Sequence, residues 1–192
     1  TPVNSSTTTF KADTYTLGEN GGPSGYTAGN WSCVITGTQT PVSVTSSQVA
    51  VGIGQNVTCT INNNDNPPQL HLIKTVTNDN GGTAQPTAWT LTANGTLASP
   101  TNLSGQTPVN SSTTAFKADT YTLAENGGPS GYTAGNWSCV ITGTATPVTV
   151  TSSQVAVGLG QDVTCTINNN DNAPKLTVVK SLVPTTDSGL FN

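Results

Sequence analysis

The sequence predicts an all-β protein made of tandem antiparallel β-sandwiches, and three observations carry this prediction. Short segments rich in β-branched residues alternate apolar and polar side chains, as the strands of a half-buried sheet do. Clusters of Gly, Pro and Asn interrupt these segments at short intervals. No stretch of useful length shows the 3.6-residue period of an amphipathic helix. We therefore expect the core to lie between sheets.

The chain contains a nearly identical internal repeat. The segment TPVNSSTTTFKADTYTL, which begins at Thr1, returns as TPVNSSTTAFKADTYTL at Thr107, so the period is 106 residues. A repeat of this length is a whole domain rather than a solenoid unit. Near-identical tandem copies favour a spacer or a fibre over an enzyme, because the length of a fibre scales with its copy number.

The domain boundary is expected at a proline-containing break. NNNDNPPQL, residues 62–70, returns as NNNDNAPKL, residues 168–176, and such clusters of Asn, Asp and Pro interrupt regular structure. On this division residues 69–172 form a complete sandwich. Residues 1–66 form a sandwich that lacks its first strand, and residues 175–192 hold the first strand of a following or neighbouring domain.

The complete repeat is expected to contain about seven strands, in an immunoglobulin-like antiparallel sandwich. Each strand is a run of alternating or β-branched residues, and GGPSG and GLGQ form turns between strands. The strands are predicted near residues 70–77, 87–93, 121–125, 136–142, 147–151, 154–157 and 162–168, with another short strand within 95–109.

Strand alternation places three polar side chains on faces that should point into the core. Lys74 shares the parity of the leucines in LHLIKTV, Glu125 that of Tyr and Leu in YTLAE, and Asn169 that of Cys and Ile in VTCTINN. A buried charge is costly unless it is paired or neutralised. A buried Lys–Glu ion pair, with Asn169 as its hydrogen-bonding partner, would satisfy all three groups.

In these residues the sequence resembles the prealbumin-like repeat domains of bacterial surface proteins, the Cna protein B-type and SpaA-like modules of Gram-positive adhesins and pilins. LHLIKTVTNDNGGTA, YTLAENGGPSGYTA and CTINN carry the resemblance in this order, and it covers the whole period. The resemblance implies a prealbumin-like sandwich. It also implies an isopeptide bond between Lys74 and Asn169, assisted by Glu125, with Asn168 as a rival acceptor.

The same resemblance extends to the partial repeats. It implies that Glu19 and Asn63 correspond to the glutamate and the acceptor asparagine, and that Lys180 corresponds to the lysine. The chemistry requires a neutral amine, and burial disfavours both charged forms of a Lys–Glu pair. The isopeptide bond and the simple ion pair remain alternatives at this point.

The four cysteines fall two to a repeat. Cys33 precedes Cys59, and Cys139 precedes Cys165, by 26 positions in both copies and with inward parity. Such a pattern in a chain of extracellular character predicts one disulfide in each repeat, with free buried thiols as the alternative. A structural zinc site would need four ligands at short spacing, and the sequence has one His and no CxxC.

Composition excludes several classes of function. Only 7% of the residues are charged, and 5 basic against 9 acidic residues give a net charge of −4, so there is no basic surface for nucleic acid. No apolar run approaches the length of about 18 residues that a membrane span requires. Apart from the crosslinking trio, no acid–base or nucleophile constellation appears. We expect no enzyme, no cofactor, no metal and no membrane span in this segment.

The sequence thus predicts a structural repeat of an extracellular fibre, stalk or pilus-like filament at the cell surface. Its expected partners are identical subunits joined head to tail or flanking repeats of the same long chain. In the head-to-tail form, residues 175–182 would insert beside the final strand, residues 57–63, of a neighbour and act as a donor strand. The alternative is a carbohydrate- or host-binding adhesin module that uses Tyr26 and Tyr132.

Overall fold

The computed structural model describes residues 10–96, 102–111 and 116–181, and within these ranges the protein is built from strands. One short 3₁₀ turn, Pro86–Ala88, is the helical element of the described chain. The all-β prediction is confirmed. No helix in these ranges is long and apolar enough to cross a bilayer. The outer parts of residues 1–66 and 175–192, and the middle of the predicted strand segment 95–109, lie outside the described residues.

The first unit, residues 10–66, forms three small antiparallel sheets. Their strand orders are β1-β6-β5, β4-β3-β7 and β2-β8. The strands are β1 (Asp13–Thr16), β2 (Tyr26–Ala28), β3 (Ser32–Ile35), β4 (Pro41–Val42), β5 (Val44–Thr45), β6 (Gln48–Val51), β7 (Val57–Thr60) and β8 (Asn63–Asp65).

The second unit, residues 69–172, forms two larger sheets that face each other. Its strands are β9 (Gln69–Thr77), β10 (Trp89–Gly95), β11 (Leu103–Gly105), β12 (Val109–Asn110), β13 (Asp119–Gly127), β14 (Tyr132–Ala134), β15 (Ser138–Ile141), β16 (Pro147–Val148), β17 (Val150–Thr151), β18 (Gln154–Val157) and β19 (Asp162–Asp171). One sheet has the order β11-β10-β13-β18-β17. The other has the order β12-β9-β19-β15-β16, with β14 also paired to β19.

The hydrophobic core of the second unit lies between these two sheets. Strand alternation explains its composition, because the inward residues of β9, β10, β13, β18 and β19 all meet there. The core cluster consists of Leu70, Leu72, Leu91, Ala93, Val109, Phe116, Tyr121, Leu123, Cys139, Val155, Val157, Val163, Cys165 and Ile167.

Strand β9 lies between β12 and β19 in its sheet. It pairs in parallel with β19 along its whole length and antiparallel with the short β12. Leu70 and Leu72 have no exposed surface, and Lys74 on the same face is 2% exposed. The residues between them are less buried, as the period of two requires. The face assigned to Lys74 from the sequence is therefore the face observed.

Three details differ from the strand pattern expected from the sequence. Instead of one short strand within residues 95–109, the described residues there form β11 and the start of β12, which belong to different sheets. The segment 147–151 is two strands, because the chain changes sheets at Thr149: β16 pairs with β15, whereas β17 pairs with β18. This change of sheet closes one side of the sandwich. The sequence analysis also missed β14, whose three residues follow the GGPSG turn directly and pair with the end of β19.

The junction between the units is short. Gly160 donates a backbone hydrogen bond to Asn66 at 2.9 Å, and Gln69 donates one to Gln161 at 2.7 Å. Beyond the second unit, residues 172–181 form no strand within the described part of the chain. Leu176 and Val178 in this segment are 87% and 83% exposed. Their assignment to the first strand of another domain stays a prediction, because that strand requires a sheet to join.

Candidate functional site

The register of the two parallel strands brings Lys74 and Asn169 to the same part of the core. Lys74 lies opposite Ile167, and Asn169 lies two residues further along β19, opposite Val76. Both side chains point to the inner face of the sheet and are 2% exposed. Glu125 reaches them from β13 in the opposite sheet. The three residues that strand parity selected are thus neighbours in the structure.

Glu125 binds both of the other side chains. The Nζ atom of Lys74 lies 2.8 Å from Oε2 of Glu125, and Nδ2 of Asn169 donates a hydrogen bond of 2.8 Å to Oε1. The indole of Trp89 covers the lysine, with its centroid 5.0 Å from Nζ. We call Lys74, Glu125 and Asn169 the buried triad.

The surroundings of the buried triad make deprotonation of Lys74 easier than in water. Burial lowers the pKa of Lys74 from its ordinary value, while the hydrogen bond and the negative charge of Glu125 oppose this effect. The Oδ1 atom of Asn169 is buried and has no hydrogen-bond partner among the described residues. If a proton passes from Lys74 to Glu125, the carboxylic acid becomes able to donate a hydrogen bond to this amide oxygen.

Asn168, the rival acceptor, lies on the other face of β19. Its Oδ1 atom accepts a hydrogen bond of 2.9 Å from the hydroxyl of Thr75, which is exposed. Consecutive side chains of a strand point to opposite faces, so Asn168 and Asn169 cannot both approach the lysine. The geometry therefore supports Asn169 as the acceptor.

The first unit contains two members of a matching site. Nδ2 of Asn63 donates a hydrogen bond to Oε1 of Glu19, as Asn169 does to Glu125. Both residues are exposed, and they line a groove of about 170 Å³ together with Gly21, Gly22 and Tyr26. In the described part of this unit no strand takes the place of β9, and none takes the places of β10 and β11, so more than the first strand is missing. Lys180 lies outside any strand and does not reproduce the position of Lys74 in this chain.

A disulfide joins the same pair of strands in each unit. Cys33 in β3 bonds to Cys59 in β7, and Cys139 in β15 bonds to Cys165 in β19, each across directly opposed positions. The described residues contain no free cysteine. In the second unit Cys165 and Asn169 both point inward from β19. The disulfide joins β19 to β15 on one side, and Asn169 lies near Lys74 of β9 on the other side.

Sequence reasoning missed a second polar site, at the end of β19. The carboxylate of Asp171 accepts hydrogen bonds from the backbone amides of Asp79 at 3.0 Å, Asn80 at 2.9 Å and Gly82 at 2.7 Å. Burial raises the pKa of Asp171, but these amides outweigh it and lower the pKa to about 2. The inward parity of Asp171, continued from Asn169, was the available signal.

The loop that binds Asp171 also binds a tyrosine of β14. The hydroxyl of Tyr132 donates a hydrogen bond of 2.6 Å to Oδ1 of Asn78 and accepts one of 3.0 Å from the amide of Ala84. Its counterpart Tyr26 is 44% exposed. We call residues 78–84, which follow β9, the amide loop. The amide loop fastens the end of the first strand to the end of the last strand.

No candidate metal centre accompanies these sites in the described ranges. They contain no group of three or more His, Cys, Asp or Glu side chains placed to hold a metal ion. The sandwich encloses the three groups of the buried triad, so any reaction among them would take place within the protein itself.

Comparison of the sequence with protein-family models agrees with this architecture. The family model of the prealbumin-like fold domain matches residues 1–61 and 65–167. The major pilin protein (T3.2) from Streptococcus pyogenes serotype GAS13637 is a similar solved structure, with a TM-score of 0.43 and 13% identity over 80% of this chain and 65% of that chain. No curated protein sequence matches. Since the family model covers most of both repeats, the chain belongs to the family of prealbumin-like fold domains.

Proposed function

We propose that this chain is a structural unit of an extracellular surface fibre, stalk or pilus-like filament, and not an enzyme. The observation that best supports this function is the buried triad, which lies between the first and last strands of a sandwich. Tension on the two ends of this unit would act on β9 and β19, which are parallel neighbours from Gln69 to Thr77. A covalent bond between these two strands would prevent their separation under load.

The proposed bond forms by attack of Lys74 on Asn169. Glu125 takes a proton from the lysine, and the neutral Nζ attacks the Cγ atom of the asparagine amide. The Nζ–Cγ bond forms, the Cγ–Nδ2 bond breaks, and the amide nitrogen leaves as ammonia with protons returned through Glu125. Each site reacts once, so the reaction is self-modification without turnover, and it requires no cofactor.

Intact-mass spectrometry of the whole chain tests the crosslink. After correction for both disulfides, we expect a mass lower than the sequence mass by one ammonia. Lys74→Ala and Glu125→Ala should each abolish this loss, whereas Lys117→Ala, which changes an exposed lysine elsewhere, should retain it. A full-length mass without ammonia loss would reduce the buried triad to an ion pair with a hydrogen-bonded asparagine.

The filament is proposed to grow by strand addition at the first unit. Its groove carries Glu19 and Asn63 in the arrangement that receives Lys74 in the second unit, so a strand with a lysine at the matching position would take the place of β9. Two sources supply such a strand. One is a flanking repeat of a longer chain, and the other is the segment around Lys180, residues 175–182, of a neighbouring copy.

Electron microscopy and sedimentation of the purified chain test the head-to-tail form. If residues 175–182 of a neighbouring copy supply the strand, the purified chain forms fibres whose axial repeat contains two sandwiches per chain, because heterologous contacts that do not close produce open filaments. Removal of residues 175–192 should abolish these fibres. A monodisperse monomer whose first unit is ordered and self-contained at all concentrations would contradict strand addition between copies.

A further inference from the structure

The amide loop of the second unit has strict steric requirements. A Cβ atom on Gly82 would overlap the hydroxyl of Tyr132 and lie 2.8 Å from Oδ2 of Asp171, so any other residue at position 82 would have to displace these side chains. Gly81 has a φ of +97°, a conformation that side-chain-bearing residues rarely adopt. Asn78 contributes its side-chain oxygen to Tyr132. The carboxylate of Asp171 thus binds converging backbone amides, and the glycines at positions 81 and 82 permit the loop conformation that aims them.

The first unit presents the same receptor without its loop. Asp65 pairs with Tyr26 between β8 and β2, as Asp171 pairs with Tyr132 between β19 and β14. Asp65 is exposed, and no described residue donates a hydrogen bond to its carboxylate. Asp65 lies two residues after Asn63, on the same face of the strand. Its carboxylate is therefore the next inward group beyond the groove that would receive the lysine.

The segment at the other end of the chain meets only half of these requirements. Leu176, Val178 and Lys180 stand 106 positions after Leu70, Leu72 and Lys74, so they match the strand. The counterparts of Asn78, Gly81 and Gly82 are Pro184, Asp187 and Ser188. Proline offers no side-chain acceptor to the tyrosine, aspartate brings a like charge and disfavours the positive φ, and serine carries the Cβ atom that the site excludes.

We propose that the first unit selects its completing strand through Asp65, and that the strand it selects carries an amide loop of the class found in residues 69–84. The partner is therefore a first strand from another repeat of this sequence class, an apolar strand with one inward lysine followed by Asn-Asp-Asn-Gly-Gly. This inference rests on the strand addition proposed above and identifies the source of the strand.

Fluorescence anisotropy with two labelled peptides tests this selection on the whole chain. One peptide has the sequence of residues 69–84 and the other that of residues 175–190. Every chain in the experiment carries Asn63→Ala, which removes the amide that the lysine would attack and keeps binding reversible. We expect the 69–84 peptide to bind about tenfold more tightly, because only it supplies charge-assisted hydrogen bonds to Asp65.

Substitutions in the chain and in the peptide identify the residues that cause tighter binding of the 69–84 peptide. Asp65→Ala should weaken binding of the 69–84 peptide about tenfold and change binding of the 175–190 peptide by less than about twofold. With Asp65 unchanged in the chain, Gly82→Ala in the 69–84 peptide should weaken binding by the same factor. Thr83→Ala in the peptide, at an exposed position, should not weaken it. The second peptide also reports whether Asp65→Ala leaves the groove folded, and the Gly82→Ala peptide tests the selection independently of that variant.

Lys117 provides a further control, because it borders a hollow at the junction of the units together with Asp65. If Lys117→Ala reproduces the loss caused by Asp65→Ala, then Asp65 acts through the junction and the proposal is wrong. Equal binding of both peptides, or no effect of Asp65→Ala and of the Gly82→Ala peptide, overturns the selection and leaves strand addition intact. Binding of neither peptide overturns strand addition as well.

Discussion

The two units of this chain have nearly the same sequence and very different interiors. Residues 1–66 and 107–172 differ at six positions, yet the buried apolar side chains of the first unit in the described residues are Cys33 and Val49 alone. Tyr121 is fully buried, whereas its counterpart Tyr15 is only half-buried. The difference therefore arises from the neighbours of these residues and not from their identity.

The segment that contains β9 packs against these residues in the second unit and has no counterpart in the described part of the first unit. It contributes Leu70 and Leu72 to the core, and full burial of such a side chain contributes about 1.5–3 kcal/mol. It also covers β19, whose inward residues from Val163 to Asp171 are buried, whereas those of β7 and β8 remain partly or fully exposed. Strands β10 and β11, which follow β9, also have no counterpart in the described part of the first unit, and β10 adds Leu91 and Ala93 to the core. The strands of residues 69–105 together thus decide whether the remaining strands enclose a core.

The largest expected effect comes from making the second unit resemble the first. Leu72→Ala removes a fully buried side chain from β9 and should lower the free energy of unfolding of the second unit by about 2–5 kcal/mol, through lost burial and the cavity left behind. Thermal denaturation followed by circular dichroism measures this loss. The matched control is Val178→Ala, 106 positions later in the exposed segment, which should leave the transition unchanged. Equal effects of the two substitutions would show that β9 does not organise the core.

The disulfides sharpen the comparison because they are the same in both units. Each closes a sequence separation of 26 residues, so each should contribute about 3 kcal/mol by restricting the unfolded chain. In the second unit, Cys139→Ala with Cys165→Ala should lower the melting temperature and leave a folded sandwich. In the first unit, Cys33→Ala with Cys59→Ala should abolish protection of backbone amides from hydrogen exchange. Persistent protection there would show that the first unit has a core of its own.

Much of this comparison was accessible from the sequence, because strand parity is a local property. The alternation in LHLIKTV and VTCTINN placed Lys74 and Asn169 inward, and the equal cysteine spacing indicated one disulfide in each repeat. The amide loop was not predicted, since NDNGGTA resembles any polar turn until its distance from Asp171 is known. The change of sheet at Thr149 was missed for a similar reason: pairing partners are set by tertiary structure.

The smallest expected effect is a loss of thermal stability at acid pH. It should depend on Asp171 and not on Asp65. The pKa of Asp171 is about 2 in the folded protein against an ordinary value of 3.8, so its contribution to stability is complete above the ordinary value and disappears as the pH falls through the lower one. The melting temperature of the second unit should therefore fall between these two values. Asp171→Asn should lessen this dependence, because an amide does not titrate. Asp65→Asn serves as the control: with no amide loop bound to it among the described residues, it should leave the acid profile as it is. If both substitutions change the pH dependence of the melting temperature equally, then the hydrogen bonds of the amide loop do not cause the effect of Asp171 in acid.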